Sequence, residues 1–167
     1  MMEENNTQAT AIALDRNHAE AVIDTQYGVR FNDMNARFYK RLDSVFSLIN
    51  LIGGSAAFAT VWVGKPSFAA AIGMVIAIAA YVERELRPTE KSIRCELQRQ
   101  KFGQLAARAP KLSLNKLDYE LRVLQSTGPD TISSLAKPAY NATVMSAGFP
   151  EHKLKLSVWE RVLAWFA

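Results

Sequence analysis

Few side chains of this 167-residue chain are of the types that catalyse reactions or hold metals. His18 and His152 have no cysteine or carboxylate at a metal-ligand spacing, so we expect both to be solvated. Cys95 is the only cysteine, so it has no disulfide partner within the chain, and we expect it to be a small buried residue. The sequence has no glycine-rich phosphate loop. We therefore predict no enzyme activity, no metal and no cofactor.

A more informative set of polar residues lies at the start of an apolar stretch. Steps of three and four residues place the following near one face of a helix, here called the polar stripe: Asp43, Ser47, Asn50 and Gly54. If that helix crosses a bilayer, each polar side chain must find a partner in protein or water. Two interpretations stay open. Asn50 hydrogen-bonds to a neighbouring helix, or copies of the stripe surround an aqueous path.

The stripe belongs to the part of the chain where apolar residues are concentrated. No charged residue occurs in 44–64 or in 66–82. As helices these segments reach roughly 31 and 25 Å, against a hydrocarbon core of about 30 Å. The sequence therefore predicts a two-helix transmembrane hairpin in contact with a lipid bilayer. A soluble bundle around a buried hairpin is the alternative, but the other helices have narrow apolar stripes with which to cover it.

The connection between the two segments indicates the topology. Gly64 can end one helix and Pro66 can begin the next, so Gly64, Lys65 and Pro66 predict a tight turn. Lys65 is the single charge of this turn, whereas basic residues cluster at the other ends of both segments. They are Arg37, Lys40, Arg41, Arg84, Arg87, Lys91 and Arg94. This asymmetry predicts a membrane protein with both termini in the cytoplasm. The family resemblance described below implies that the membrane is the bacterial inner membrane.

Small residues within the two segments could let helices approach closely. In the first segment Gly53 and Ala57 are four residues apart, and in the second Ala69, Gly73 and Ala77 form a ridge. Either the two helices pack only on each other through these residues, or the ridges also assemble copies of the chain into a homo-oligomer.

The apolar hairpin divides the chain into three predicted parts. Residues 1–30 read as a tail and a short helix interrupted at Gly28, residues 31–82 as an amphipathic lead-in helix and the hairpin, and residues 83–167 as a cytoplasmic helical region. The predicted fold class is all-α. The net charge is +4, and the basic residues are scattered among acidic ones along the chain. We therefore predict no nucleic-acid partner.

The cytoplasmic region carries an apolar seam typical of paired helices. Its leucines step by three, four and three residues: Leu114, Leu117, Leu121 and Leu124. This spacing predicts a coiled-coil-like hairpin with the preceding helix.

A C-terminal amphipathic helix follows, with Trp159, Leu163 and Phe166 on its apolar face. Two positions stay open for it: the headgroup region of a membrane, or the surface of the 114–124 helix.

Several segments resemble the SLATT-type two-transmembrane proteins of bacterial conflict systems. The resemblance spans residues 31–166: the run 37–42 leads into 51–58, a short turn follows, and the second span passes into a helical hairpin. Tyr140, Asn141 and the run 159–163 are similar to the end of prophage-borne members. The resemblance implies a pore-forming or membrane-perturbing effector of phage defence, with a cytoplasmic sensor or nucleotide-signalling partner as its trigger. The alternative function is a membrane-anchored scaffold that recruits a partner through its cytoplasmic helices.

Overall fold

The computed structural model describes residues 16–54 and 66–167. Within these ranges the regular structure is entirely helical, as the sequence predicts. The α-helices are α1 (His18–Gly54), α2 (Pro66–Leu86), α3 (Pro88–Arg108), α4 (Leu114–Ser126), α5 (Ala136–Ser146) and α6 (Val158–Phe166). Single 3-10 turns are formed by Ala109–Lys111, Ser133–Leu135 and Pro150–His152.

Helix α1 is a continuous rod of 37 residues that passes through Gly28. The predicted interruption at this glycine is therefore wrong. A Cβ atom at Gly28 would lie 2.4 Å from Cδ1 of Phe102 in α3. The glycine thus serves close approach between two helices, because a side chain there would displace the ring of Phe102.

The main core lies where α1, α3 and α4 meet. Its buried residues are Ala21, Phe102, Leu105, Ala109, Leu117 and Leu121. Leu114 and Leu124 pack at its edge, so all four leucines of the predicted seam contact this core. The α3–α4 pair is completed by α1, since Ala21 of α1 belongs to the same buried cluster. Helices α3 and α4 and the first half of α1 therefore share one core.

The chain bends sharply between α2 and α3. Arg87 has a φ of 46° and a ψ of 56°, in the left-handed region, and Pro88 is the first residue of α3. Proline cannot donate a backbone hydrogen bond, and its fixed φ suits the first turn of a helix. A new helix therefore begins at Pro88.

The C-terminal helix α6 docks on α1 and on the Ser133–Leu135 turn. Leu163 and Ala167 are buried with Leu135, and Phe31, Met34, Phe38 and Ile132 pack around them. The predicted docking position on α4 is therefore wrong. The leucine seam of α4 already packs in the main core, which leaves its apolar stripe unavailable to α6.

Candidate functional site

The second half of α1 and helix α2 carry a large exposed apolar surface, here called the apolar arm. Large apolar side chains between 41% and 72% exposed lie along both helices: Val45, Leu48, Leu51 and Ile52 on α1, and Met74, Val75, Ile78 and Tyr81 on α2. Contiguous apolar patches of this kind mark contacts with a membrane or with another protein. The apolar arm is therefore the candidate functional site.

The composition of α1 explains why the arm begins where it does. Up to Phe46 the helix buries residues such as Ala36, Tyr39 and Phe46 itself. Beyond Phe46 the apolar side chains continue around the helix, but α2 covers only one side of it. The remaining apolar faces of α1 and α2 are left exposed.

No helix in the described ranges combines the length and the apolar character that crossing a membrane requires. The first predicted span, 44–64, passes at Gly54 into residues 55–65, which lie outside those ranges.

The polar stripe is partly bonded within a single chain. The Asn50 side-chain amide donates to Oε2 of Glu83 in α2 at 2.7 Å, and Oγ1 of Thr89 donates to Oδ1 of Asp43 at 2.5 Å. Ser47 is exposed, and Gly54 is the last residue of α1. Of the two interpretations of Asn50, the structure contains the hydrogen bond across to the neighbouring helix.

The predicted small-residue ridge lies partly in open space. A Cβ atom added to Gly73 would meet nothing within 4 Å, and Ala77 is exposed one turn later. Among the described residues, therefore, these two positions do not serve close packing between α1 and α2.

The other predicted positions of the hairpin are placed only in part. Gly53 lies in the last turn of α1, Ala69 lies in α2, and Pro66 is the first residue of α2. Ala57, Gly64 and Lys65 lie outside the described residues.

An open groove of about 590 Å³ runs between α1 and α3 next to the apolar arm. Two carboxylates on its walls are paired: Asp33 lies 3.0 Å from Arg37, which also lines the groove, and Glu96 lies 2.5 Å from Arg99, which does not. The hydrogen bond from Arg99 holds the pKa of the Glu96 carboxyl below its usual range. Ile93 and Leu97 line the same groove and are more than half exposed. The groove thus has an apolar side and a charged side.

Two amide side chains, the buried Asn35 and the partly exposed Asn141, hold segments below the arm, and these contacts were not predicted from the sequence. Asn35 is completely buried, donates to the carbonyl of Phe31 at 2.8 Å and accepts from the amide of Ile132 at 2.7 Å. Asn141 makes both its donor and acceptor bonds to the backbone of Leu154, each at 2.8 Å. These bonds fix the segments before α5 and α6. No local pattern predicts the bonds to Ile132 and Leu154, since they join residues 97 and 13 positions apart.

Side chains of types used in catalysis include those of Cys95, His18 and His152. Cys95 is completely buried, and burial raises the pKa of its thiol to about 11, so the reactive thiolate is suppressed at neutral pH. His18 is half-buried, with Nε2 at 2.9 Å from the carbonyl of Leu112, so its prediction as solvated is wrong. His152 is exposed. Within the described ranges, histidine, cysteine and carboxylate side chains form no cluster of three that could hold a metal ion.

Comparison of the chain with protein-family models, curated proteins and solved structures finds no match. The functional interpretation therefore depends on the arrangement of the apolar arm and the helices below it.

Proposed function

We propose that this chain inserts its apolar arm into the bacterial inner membrane and acts there as a pore-forming or membrane-perturbing effector of an antiviral conflict system. The observation that carries the proposal is the exposed apolar surface of α1 and α2, which lies next to a well-packed bundle. In this arrangement the bundle and both termini are cytoplasmic.

The energetic reason for insertion is the area of apolar surface left in water. Eight large apolar side chains of the arm are at least 41% exposed. Full burial of one such side chain contributes about 1.5–3 kcal/mol, so covering the arm is worth on the order of 10 kcal/mol. This is comparable with the whole stability of a typical domain. A covering environment is therefore strongly favoured, and the charge-free segments 44–64 and 66–82 suit a bilayer.

The distribution of basic residues supports a double crossing. Arg37, Lys40 and Arg41 are exposed just before the arm, and Arg84 and Arg87 stand at the end of α2. Lys65 alone lies between the segments. Basic residues concentrate on the cytoplasmic side of membrane proteins, so Lys65 is placed on the opposite side.

A pore would require several copies of the chain to assemble in the membrane, because one hairpin alone serves only as an anchor. Gly73 and Ala77 leave a smooth, open strip on α2, and small residues of this kind let transmembrane helices of separate copies pack closely. In the assembled state Ser47 and Asn50 would face an aqueous path. A cytoplasmic sensor or nucleotide-signalling partner would supply the trigger, as the resemblance to SLATT-type proteins implies.

Induced expression in bacterial cells tests the effector function directly. A potentiometric dye should report loss of the membrane potential, while the protein is found in the membrane fraction and forms oligomers on chemical cross-linking. Retention of the potential by a membrane-bound, oligomeric protein, with its cellular trigger present, would contradict a pore.

A membrane-anchored scaffold is the second candidate, and two observations favour it. The bond to Glu83 satisfies the side-chain amide of Asn50 within one chain, without a water-filled path. Ile93 and Leu97 stay exposed in the α1–α3 groove, where a partner helix could bind. A scaffold would leave the membrane potential intact, and Ile93→Glu or Leu97→Glu would release its partner without affecting membrane attachment.

A further inference from the structure

Helix α6 uses only part of its apolar face to dock on the bundle. Leu163 is buried and the ring of Phe166 packs edge-on against Phe38, with their centroids 5.2 Å apart. The neighbouring part of the face is open, and Trp165 is 81% exposed. The open residues lie within about a third of the helix circumference: Val158, Trp159, Val162 and Trp165.

The end of α6 is fixed beside the start of the apolar arm. Nη1 of Arg41 donates to the carbonyls of Trp165 and Phe166 at 3.1 and 2.9 Å. Arg41 lies three residues before Ser44, the first residue of the charge-free segment, which is roughly 4.5 Å along the helix axis. The last turn of α6 therefore lies at the level where α1 would enter a bilayer.

We propose that the open face of α6 docks on the headgroup layer of the same bilayer that receives the arm, with Trp165 as its main anchor. The inference rests on the proposed membrane insertion and adds a second, peripheral membrane contact to it. Tryptophan suits this layer because its ring is apolar while its indole N–H remains able to bind water or headgroups.

The charges around α6 select an anionic lipid surface over a second copy of the chain. Exposed basic residues lie before α6 and beside its open face: Lys153, Lys155 and Arg161. The nearby Glu160 is engaged by Lys137 at 3.1 Å and caps the helix through Ser157. Two copies meeting through this face would bring like charges together, whereas anionic headgroups complement them.

Docking of α6 would couple the membrane surface to the bundle. Its buried side packs on the Ser133–Leu135 turn, and the neighbouring Ile132 amide is held by Asn35 of α1. Displacement of α6 from the lipid surface would therefore act on the contact between α1 and the segment before α5.

Fluorescence of single-tryptophan variants tests this inference, because the chain has three tryptophans. The full chain, with Trp62→Phe and Trp159→Phe, retains Trp165 as its reporter. It is reconstituted into vesicles of phosphatidylcholine and phosphatidylglycerol that carry bromine close to the headgroups. We expect Trp165 emission to shift to shorter wavelength, to lose intensity to the bromolipid, and to resist quenching by aqueous iodide.

Two results would overturn the inference. In the first, Trp165 remains open to iodide and unaffected by bromolipid. In the second, Trp165 is shielded from iodide but unaffected by bromolipid, which would indicate contact with another protein copy. A matched control replaces all three tryptophans with phenylalanine and introduces Tyr119→Trp on the exposed side of α4, where iodide should quench freely.

A sole Trp62 separates this inference from the proposed function. With Trp159→Phe and Trp165→Phe, Trp62 reports on the connection between the two predicted spans. Quenching of Trp62 by bromolipid without quenching of Trp165 would refute the docking of α6 alone. If neither residue is quenched, the membrane insertion itself is refuted.

Discussion

Gly28 shows how one residue sets the distance between two helices. The ring of Phe102 occupies the space beside Gly28 where another residue would have its side chain. The Cδ1 and Cε1 atoms of this ring lie 2.4 and 2.5 Å from the position that a Cβ atom would take. Real Cβ atoms do not approach other atoms so closely, so any side chain at position 28 would displace the buried ring of Phe102 or move α1 away from α3.

Gly28→Ala should therefore destabilise the bundle by about 1–3 kcal/mol, the usual cost of overpacking a core. Gly103→Ala is the matched control, because its Cβ would meet nothing within 4 Å. It should stabilise α3 by about 0.5–1 kcal/mol, since alanine is the better helix former. Thermal unfolding of the two variants by circular dichroism measures both effects, and equal unfolding temperatures would contradict this packing.

The role of a single residue could be predicted from the sequence only where that role depends on neighbouring positions of the chain. The burial of Cys95 follows from its small, apolar side chain on a helix that needs a buried face. Gly28 was interpreted as a helix breaker because its contact, Phe102, lies 74 positions away along the chain and leaves no local signal. The contacts of His18 and Asn35 were missed for the same reason, since their partners Leu112 and Ile132 lie 94 and 97 positions away along the chain.

The pairing of α1 and α2 depends on a polar contact near the base of the arm. The Asn50 amide donates to the Glu83 carboxylate at 2.7 Å, and both groups belong to helices whose other faces are apolar. A hydrogen bond to a charged group is stronger than one between neutral groups, and it is more valuable where water is scarce.

A double-mutant cycle with Asn50→Leu and Glu83→Leu should give a coupling free energy on the order of 1 kcal/mol in unfolding of the detergent-solubilised protein. Ser47→Ala, on the exposed part of the same stripe, should show no coupling to Glu83→Leu. A coupling of zero for Asn50 would show that the bond does not hold the two helices together.

Helices were easier to predict than the surfaces on which they dock. The three-four-three spacing of leucines is sufficient to predict the buried face of α4, because a seam of this kind must be covered. The partner of α6 could not be predicted in this way. Its apolar face fits any comparable surface, and the choice of α1 and the Ser133–Leu135 turn depends on shape and on bonds such as that of Arg41.

At the scale of the whole molecule, the chain separates into a bundle with its own core and an arm without one. The bundle was predictable as all-α from its periodic apolar residues, but the sharing of one core by α1, α3 and α4 was not, since it joins segments on both sides of the charge-free region. The arm was predictable from that region itself. The exposed apolar side chains of the arm lie within 44–64 and 66–82, the two segments that contain no charged residue.

In the proposed topology the arm crosses the membrane twice and Lys65 lies outside. Cys95 is the only cysteine, so Cys95→Ala provides a background without other thiols for labelling. In that background, intact spheroplasts that carry the Lys65→Cys variant are treated with a membrane-impermeant maleimide. Lys116→Cys, on the exposed side of α4, is the cytoplasmic control.

We expect the Lys65→Cys variant to be labelled before lysis and the Lys116→Cys variant to be labelled only after it. Labelling of both variants only after lysis, or recovery of both outside the membrane fraction, would refute the double crossing.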